Sequence, residues 1–485
     1  MPVTDATAKA ARRAVRELLR VAPVTGLVAE AFSRVGHDLY LVGGSVRDAL
    51  LGRLGEDLDF ATDARPEQIL EVVTPLGPTW TTGIAFGTVG VQVSLDGVAH
   101  RCEITTYRAD SYDGQSRKPE VSYGDSIEGD LARRDFAVNA MAIQLPLDAG
   151  RPVVDPYGGL DDLAVRLLRT PVAPQRSFDD DPLRMLRAAR FAAQLEFTVE
   201  SATAAAIAEM AARLEIVSAE RVRDELSKLV LGAAPRRGLE LLVDSGLAEH
   251  CLPELSRLAD TVDEHGRHKD VYAHTLTVLE QAIALEADGP DLVLRLAALL
   301  HDIGKPDTKK LHDGGKVSFH HHEVVGAKLT RKRLAALRYP KDLIDDVATL
   351  VELHLRFHGF SQGQWTDAAV RRYVRDAGPL LDRLHKLTRS DCTTRNAAKA
   401  RALATAYDEL ERRIAELAEQ EELHRLRPAL DGNEIMTELG IGPGPVVGRA
   451  YRHLLELRIE RGPMSRDEAV AELRAWAAAQ GLDIE

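Results

Sequence analysis

The stretch that most constrains this chain runs from Asp38 to Thr62, DLYLVGGSVRDALLGRLGEDLDFAT. Leu39 to Val42 reads as a short apolar strand and Gly43-Gly44 as a turn. A helix of one or two turns follows from about Ser45, then a second strand from Asp57 to Phe60. In that strand Asp57 and Asp59 alternate with Leu58 and Phe60, so both carboxylates point the same way. Two adjacent carboxylates repel each other unless a cation lies between them, and a hard oxygen pair suits Mg²⁺ bound to a substrate phosphate. Gly43 and Gly44 carry no side chains, so backbone N–H groups at a helix start can approach an anion, and Arg47 follows one turn later. Taken singly, a Gly-Gly pair is commonly just a turn, and Asp-x-Asp is commonly a solvated strand edge. A phosphate cradle and a metal-binding pair within one strand-helix-strand unit together point to transfer chemistry on a nucleoside triphosphate.

At 485 residues the chain is long enough for three or four compact units. No apolar run approaches 18 residues, and the first thirty residues lack the apolar core of a signal peptide, so a cytoplasmic protein with no membrane partner is expected. Cys102, Cys251 and Cys392 show no CxxC spacing, which points away from a disulfide framework or a cysteine zinc site. The net charge of −13 argues against binding long nucleic acid by bulk electrostatics, yet local basic patches can still hold a small folded RNA.

GGSVRD, followed nine residues after Asp48 by D-L-D, resembles the head-domain signature of class II nucleotidyltransferases, the family of bacterial CCA-adding enzymes and poly(A) polymerases. Residues 5–35 pattern as an amphipathic helix broken near Pro23, and Asp63 to Leu76 as another helix. Val89 to Leu95 and Val98 to Tyr107 read as a hairpin turning at Asp96-Gly97. The return strand puts Glu103 on one face with Thr105 and Tyr107, where it is either a third carboxylate or a solvent-facing residue. Ala109 to Gly129 is polar and glycine-containing, and the resemblance implies a lid there. In DLARRDFAVNAMA, paired arginines precede an apolar, helix-like run. That segment resembles the family's RRDF(T)xNA motif, which implies Arg134 on the nucleotide and Asp135 and Asn139 near its sugar. Ala137 stands where the family has Thr, so one hydroxyl contact is missing.

Asp155 to Leu163 reads as a turn-rich connector, and beyond Pro174 the pattern is helical. FDDDPLRMLRAARFA sets Arg184, Arg187 and Arg190 three apart with Asp181 at the helix start, a pattern that a plain amphipathic helix with a basic stripe shares. It also resembles the family's EDxxRxxR motif, with Asp180 in place of Glu. The resemblance implies that Asp181 and Arg184 choose between CTP and ATP, since a carboxylate and a guanidinium can read a Watson–Crick edge. Arg187 and Arg190 would then steady the phosphates. The helix at 218–230 matches the family's neck helix.

A second constellation follows: His274, His301-Asp302, His322, His354 and Asp391, all on helices. A lone buried His is usually structural, but this order resembles the HD phosphohydrolase superfamily, which implies convergence on one or two divalent ions. Ala402 to Leu426 reads as a charged helix. Gly442, Gly444 and Gly448 fit no dinucleotide or P-loop spacing, and the turn they form either caps a helix or presents N–H groups to RNA near Arg449 and Arg452.

The expected fold is α+β: a nucleotidyltransferase head with a small mixed sheet, then all-helical neck, HD body and tail. The expected parts are an N-terminal helix (1–35), head (36–170), neck (171–232), HD domain (233–400) and tail (401–485). The implied function is template-independent CCA addition to the tRNA 3′ end from CTP and ATP, with Mg²⁺ at Asp57 and Asp59 and a second divalent metal in the HD domain. Rivals are a poly(A) polymerase, a CC-only or A-only enzyme, and a protein whose working part is an HD phosphohydrolase.

Overall fold

A computed structural model describes residues 23–108, 123–146, 153–261, 270–312, 317–357, 365–394, 396–421 and 427–482. The expected lid falls largely outside them, as do residues 5–22 of the expected N-terminal helix. Two compact units are present, Met1–Ser256 and Arg257–Glu485.

The first unit opens with helix α1 (23–34), which buries Val24, Val28 and Phe32. Strand β1 (Leu39–Val42), helix α2 (Gly44–Leu51) and strand β2 (Asp57–Thr62) follow as the sequence predicts. Next come α3 (Pro66–Val73), β3 (Thr79–Trp80), β4 (Thr88–Leu95) and β5 (Val98–Thr106), the last two joined at Asp96-Gly97. Helix α4 (Ile127–Ala132) then leads to β6 (Ala142–Leu145). The six strands form one sheet in the order β3-β4-β5-β2-β1-β6, in which only β2 and β5 pair in parallel. One face is apolar: Leu58, Phe60, Val89, Val91, Val93, Cys102 and Ile104 are buried, and α2 and α3 pack against the sheet. The alternate positions Asp57, Asp59, Arg101 and Glu103 are left on the open face.

Two segments depart from the sequence reading. The apolar run after Asp135 is not a helix. Ala137–Asn139 forms one 3₁₀ turn, and β6 then pairs with β1 in the register Leu39↔Leu145. Edge pairing to a distant strand outweighed the local helical pattern there. The connector after Asp155 contains helix α5 (Gly159–Val165), because the Asp155 carboxylate accepts the N–H groups of Gly159 (2.7 Å) and Leu160 (2.9 Å) at its start.

Helices α6 (Pro174–Asp180), α7 (Leu183–Leu195), α8 (Ser201–Met210) and α9 (Ala219–Val230) complete the part that shapes the site. Helix α7 is buried along most of its length and packs on α9. The helical hairpin from Pro235 closes the unit.

In the second unit, helices Asp270–Ala284, Leu292–Leu300, His322–Ala336, Lys341–Leu353 and Leu381–Ser390 bundle together. The charged helix runs Ala397–Glu421, beginning five residues before its expected start; 422–426 lie outside the described residues. Helices Gly432–Leu439, Pro445–Arg461 and Arg466–Ala479 form a small bundle around Ile435, Leu454 and Leu473. Pro445 occupies the first turn of its helix, which fits capping. No helix among the described residues is long and apolar enough to cross a membrane.

Candidate active site

Across the open face of the head sheet and the start of α7 lies a cavity of about 870 Å³. Nine arginines and five aspartates line it, so it is a local basic pocket in an acidic chain. Gly43, Gly44, Arg47, Asp59, Arg134, Asp135, Asn139, Asp181, Arg184, Arg187 and Arg190, all singled out in the sequence, share this lining. Asp57 does not, although it points to the same open face two residues earlier.

Gly43 sits at φ +67°, a conformation that favours glycine, and a Cβ there would lie 2.5 Å from Arg134 Nη1. The turn therefore brings backbone and guanidinium together at the N-terminus of α2. Arg134 is steadied by buried Asp130, whose Oδ2 accepts from its Nη2 at 2.9 Å.

Asp59 is solvent-reachable but lies in the concave floor of the pocket. The loss of surrounding water raises its carboxyl pKa. Glu103 and Asp57 add to the rise, against the pull of Arg134 and Arg47. Glu103 is paired directly opposite Asp59 in the parallel β2–β5 register, on the same open face. The third-carboxylate position is therefore occupied in space, a point the two-residue spacing alone left open. A cation among these like charges would relieve their repulsion, so the residues fit a divalent metal.

Behind the pocket runs a continuous chain of polar contacts. Arg47 pairs with Asp48 (2.8 Å) and donates from Nη1 to Asn139 Oδ1 (2.6 Å). Asn139 Nδ2 donates to Asp135 Oδ1 (2.9 Å), and Asp135 Oδ2 accepts from Arg187 Nε (2.8 Å). Arg187 also lies 3.5 Å from Glu225 Oε1 on α9, whose other oxygen takes Arg190 Nε at 2.5 Å. Burial alone would raise the Asp135 carboxyl, but Arg187 and the Asn139 amide hold it below the usual range. The Arg187 and Arg190 guanidiniums, expected on phosphates, are thus committed to Asp135 and Glu225. Phe191, a residue the sequence reading missed, presents its buried ring to three guanidiniums, those of Arg47, Arg187 and Arg190, at 5.3, 5.5 and 3.9 Å. Its adjacency to Arg190 was the available signal. Glu225, also missed, gave none beyond being one Glu on an amphipathic helix.

Asp181 lies between α6 and α7 in extended conformation, two residues before α7 begins, at the helix start where the sequence puts it. Its Oδ1 accepts the Leu183 N–H (3.1 Å) and its Oδ2 pairs with Arg221 (2.8 Å). Arg184 is buried, with Nη1 donating to Ser177 O (3.2 Å) and Oγ (2.9 Å) and Nη2 to Arg133 O (2.5 Å). Three of its five donors are used among the described residues, which fixes the guanidinium plane and leaves two.

The second unit holds a separate cluster. His301, His354 and Asp391 stand at helix C-termini, where the helix dipole favours positive charge, and His322 begins another helix. The ligand atoms of His274, His301 and Asp391 all lie within 4.8 Å of one another, as do those of Asp302, His322 and His354. His301, His322 and His354 each use Nδ1 on a backbone carbonyl, of Ala298, Phe319 and Val351. Their Nε2 atoms are buried and make no well-aligned hydrogen bond among the described residues, those of His301 and His322 facing the Asp302 carboxylate at 3.2 and 3.3 Å. Imidazole nitrogens oriented by backbone carbonyls and aimed at two carboxylates are what a metal requires, so this set fits a divalent ion. Lys305 Nζ additionally donates to Asp302 Oδ2 at 2.7 Å. The head carboxylates do not form a group this tight.

Residues 39–169 match the Poly A polymerase head domain, 196–258 the probable RNA and SrmB-binding site of polymerase A, and 271–396 the HD domain. The chain is 36% identical over 445 residues to an A-adding tRNA nucleotidyltransferase of Deinococcus radiodurans, covering 90% of this chain and 95% of that protein. It is 32% identical over 446 residues to a CC-adding tRNA nucleotidyltransferase of Thermus thermophilus, covering 90% and 94%. A CCA-adding enzyme of Pediococcus pentosaceus is 40% identical over 225 residues, covering 46% of this chain and 54% of that one. The fold is similar to that of the Bacillus stearothermophilus CCA-adding enzyme solved in complex with CTP, with a TM-score of 0.67 at 24% identity, covering 96% and 98% of the two chains. The shared head, RNA-binding and HD segments, in one order and over nine-tenths of the chain, place this protein in the tRNA nucleotidyltransferase and poly(A) polymerase family of nucleotidyltransferases.

Proposed function

We propose that this chain builds or repairs the 3′-terminal CCA of tRNA from CTP and ATP, without a nucleic-acid template, in the cytoplasm. The observation that carries the reading is a single pocket in which Asp59 shares its walls with a glycine-arginine phosphate cradle and with the Asp181–Arg184 pair. Asp57 and Asp59, with Glu103 opposite, hold Mg²⁺. When bound there, Mg²⁺ supplies Lewis-acid stabilisation to the reacting phosphate and acidifies an attacking hydroxyl. Backbone N–H groups at Gly44, together with Arg47 and Arg134, orient the triphosphate. Asp135 and Asn139 sit where the sugar would lie. The fixed plane of Arg184 offers its remaining donors to a base edge, and Asp181 supplies the acceptor. Arg187 and Arg190, which line the same pocket while paired with Asp135 and Glu225, steady the phosphates. In this reading the five parts 1–35, 36–170, 171–232, 233–400 and 401–485 serve as leading helix, head, neck, HD body and RNA-contacting tail.

The full-length relatives divide the reaction between A addition and CC addition, so the test must separate the steps. Purified protein is incubated with Mg²⁺ and a tRNA lacking CCA, supplied with CTP, ATP or both, and the 3′ ends are sequenced. Two C residues from CTP and a completed CCA only with both nucleotides is the expected result. CC alone, or A added only to a tRNA already ending in CC, would restrict the activity accordingly. Long A tails from ATP would make it a poly(A) polymerase.

A second activity has its own support in the six-residue cluster, whose buried imidazole nitrogens are set for a metal. We infer that His274, His301, Asp302, His322, His354 and Asp391 bind one or two divalent ions and support phosphohydrolysis. Elemental analysis of the purified chain should find one or two transition-metal ions, lost in Asp302→Ala; equal metal content in the variant would overturn the assignment. Hydrolysis of nucleotides or RNA ends should survive Asp57→Ala and Asp59→Ala and disappear with His301→Ala.

A further inference from the structure

We propose that Phe86 is the stacking platform for the 3′-terminal base of the RNA acceptor. The inference rests on the transfer reading above and adds the acceptor side of the site. Phe86 lines the cavity at 49% exposure, and Tyr123 is the other exposed large aromatic among the described residues.

Sheet order determines what lies on either side of the carboxylates. The Gly43–Gly44 turn follows β1, and Arg134 to Asn139 lead into β6 at the sheet edge beside it. Asp59 is on β2 and Glu103 on β5, while Phe86 immediately precedes β4. Across the open face the order is therefore phosphate cradle, carboxylates, Phe86. In-line displacement requires the attacking hydroxyl opposite the leaving pyrophosphate. With the triphosphate on the β1 side, the acceptor's 3′ hydroxyl enters from the β4–β5 side, where Phe86 stands.

Its platform is rigid. Backbone bonds Phe86 N–H to Gly83 O (2.9 Å) and Thr88 N–H to Gly83 O (3.1 Å) close the turn, and Thr106 N–H to Gly87 O (3.0 Å) fastens it to the end of β5. The Tyr123 ring packs behind it, 3.2 Å from a Cβ built on Gly87. A second aromatic lies on the same side: Trp80 covers Gly90, the residue paired with Glu103, so closely that a Cβ there would be 1.9 Å from the indole. An aromatic face held open at this position costs solvation with no packing return in the free protein. A nucleobase, which always has a π face, repays that cost whatever its identity.

The test measures steady-state kinetics of the full chain on a tRNA ending in CC, for wild type, Phe86→Ala and Phe86→Trp. KM for the tRNA should rise roughly 5- to 100-fold in Phe86→Ala, the range expected for one lost base stack. The change should fall on that KM rather than on KM for ATP, and Phe86→Trp should restore it. A tRNA carrying 2-aminopurine as its last base should show quenched fluorescence on binding wild type and not on binding Phe86→Ala. A rise confined to KM for ATP would hand the platform to the incoming nucleotide and overturn the proposal, as would unchanged kinetics and quenching. A wild-type protein that extends no tRNA would overturn the transfer reading itself, and this inference with it.

Discussion

Asp59→Ala should lower nucleotide transfer by at least about 10³-fold while leaving the melting temperature unchanged or slightly higher. In the proposed mechanism Asp59 is one of two carboxylates holding the catalytic ion, and its removal forfeits several kcal/mol of transition-state stabilisation, each 1.36 kcal/mol being a factor of ten. Nothing in the fold leans on this side chain. Its carboxylate makes no hydrogen bond or ion pair among the described residues, and its pKa is raised, so its charge is an electrostatic cost to the folded state at neutral pH. Deleting it relieves that cost. Primer extension on a tRNA lacking CCA, paired with a thermal melt, measures both quantities. Near-normal transfer would remove Asp59 from the site.

Glu225→Ala should act in the opposite way, through stability. Glu225 is 4% exposed and is shared by Arg187 and Arg190, which also flank the same Phe191 ring. Truncating it leaves two close guanidiniums without their shared acid. Loss of one partner of a buried pair costs about 3–5 kcal/mol. In a unit of this size that lowers the melting temperature by roughly 10 °C. Transfer measured well below the transition should fall as well, because Arg187 no longer holds Asp135 and the Asn139–Arg47 contact loses its brace. A melt within 2 °C of wild type would show that the network is ornamental to the fold.

The parts of this molecule legible in the sequence are those whose cause is local. Strand, glycine turn, helix and Asp-x-Asp strand fall where the Leu39–Thr62 pattern puts them, since each is fixed by residues within a few positions. The histidine cluster was legible for a different reason: six His and Asp residues follow the order of the HD superfamily, and their ligand atoms gather in two groups of three. What could not be read depends on distant partners. The run after Asp135 looked helical, yet β1 needed a neighbour at the sheet edge. The partners of Arg187 and Arg190 were hidden as well, because a sequence shows the spacing of the arginines and not Asp135 or Glu225, 52 and 35 residues away. Glu103 was ambiguous until the β2–β5 register set it against Asp59.

The polar chain from Asp48 through Arg47, Asn139, Asp135, Arg187 and Glu225 to Arg190 also bears on how the protein can change over generations. A buried pair exchanged whole for well-packed apolar residues can be nearly neutral, whereas either member lost alone is severely penalised. An arginine here can therefore be surrendered only in company with its acid. Because the same residues line the pocket and anchor α7, drift in the site is tied to drift in the scaffold.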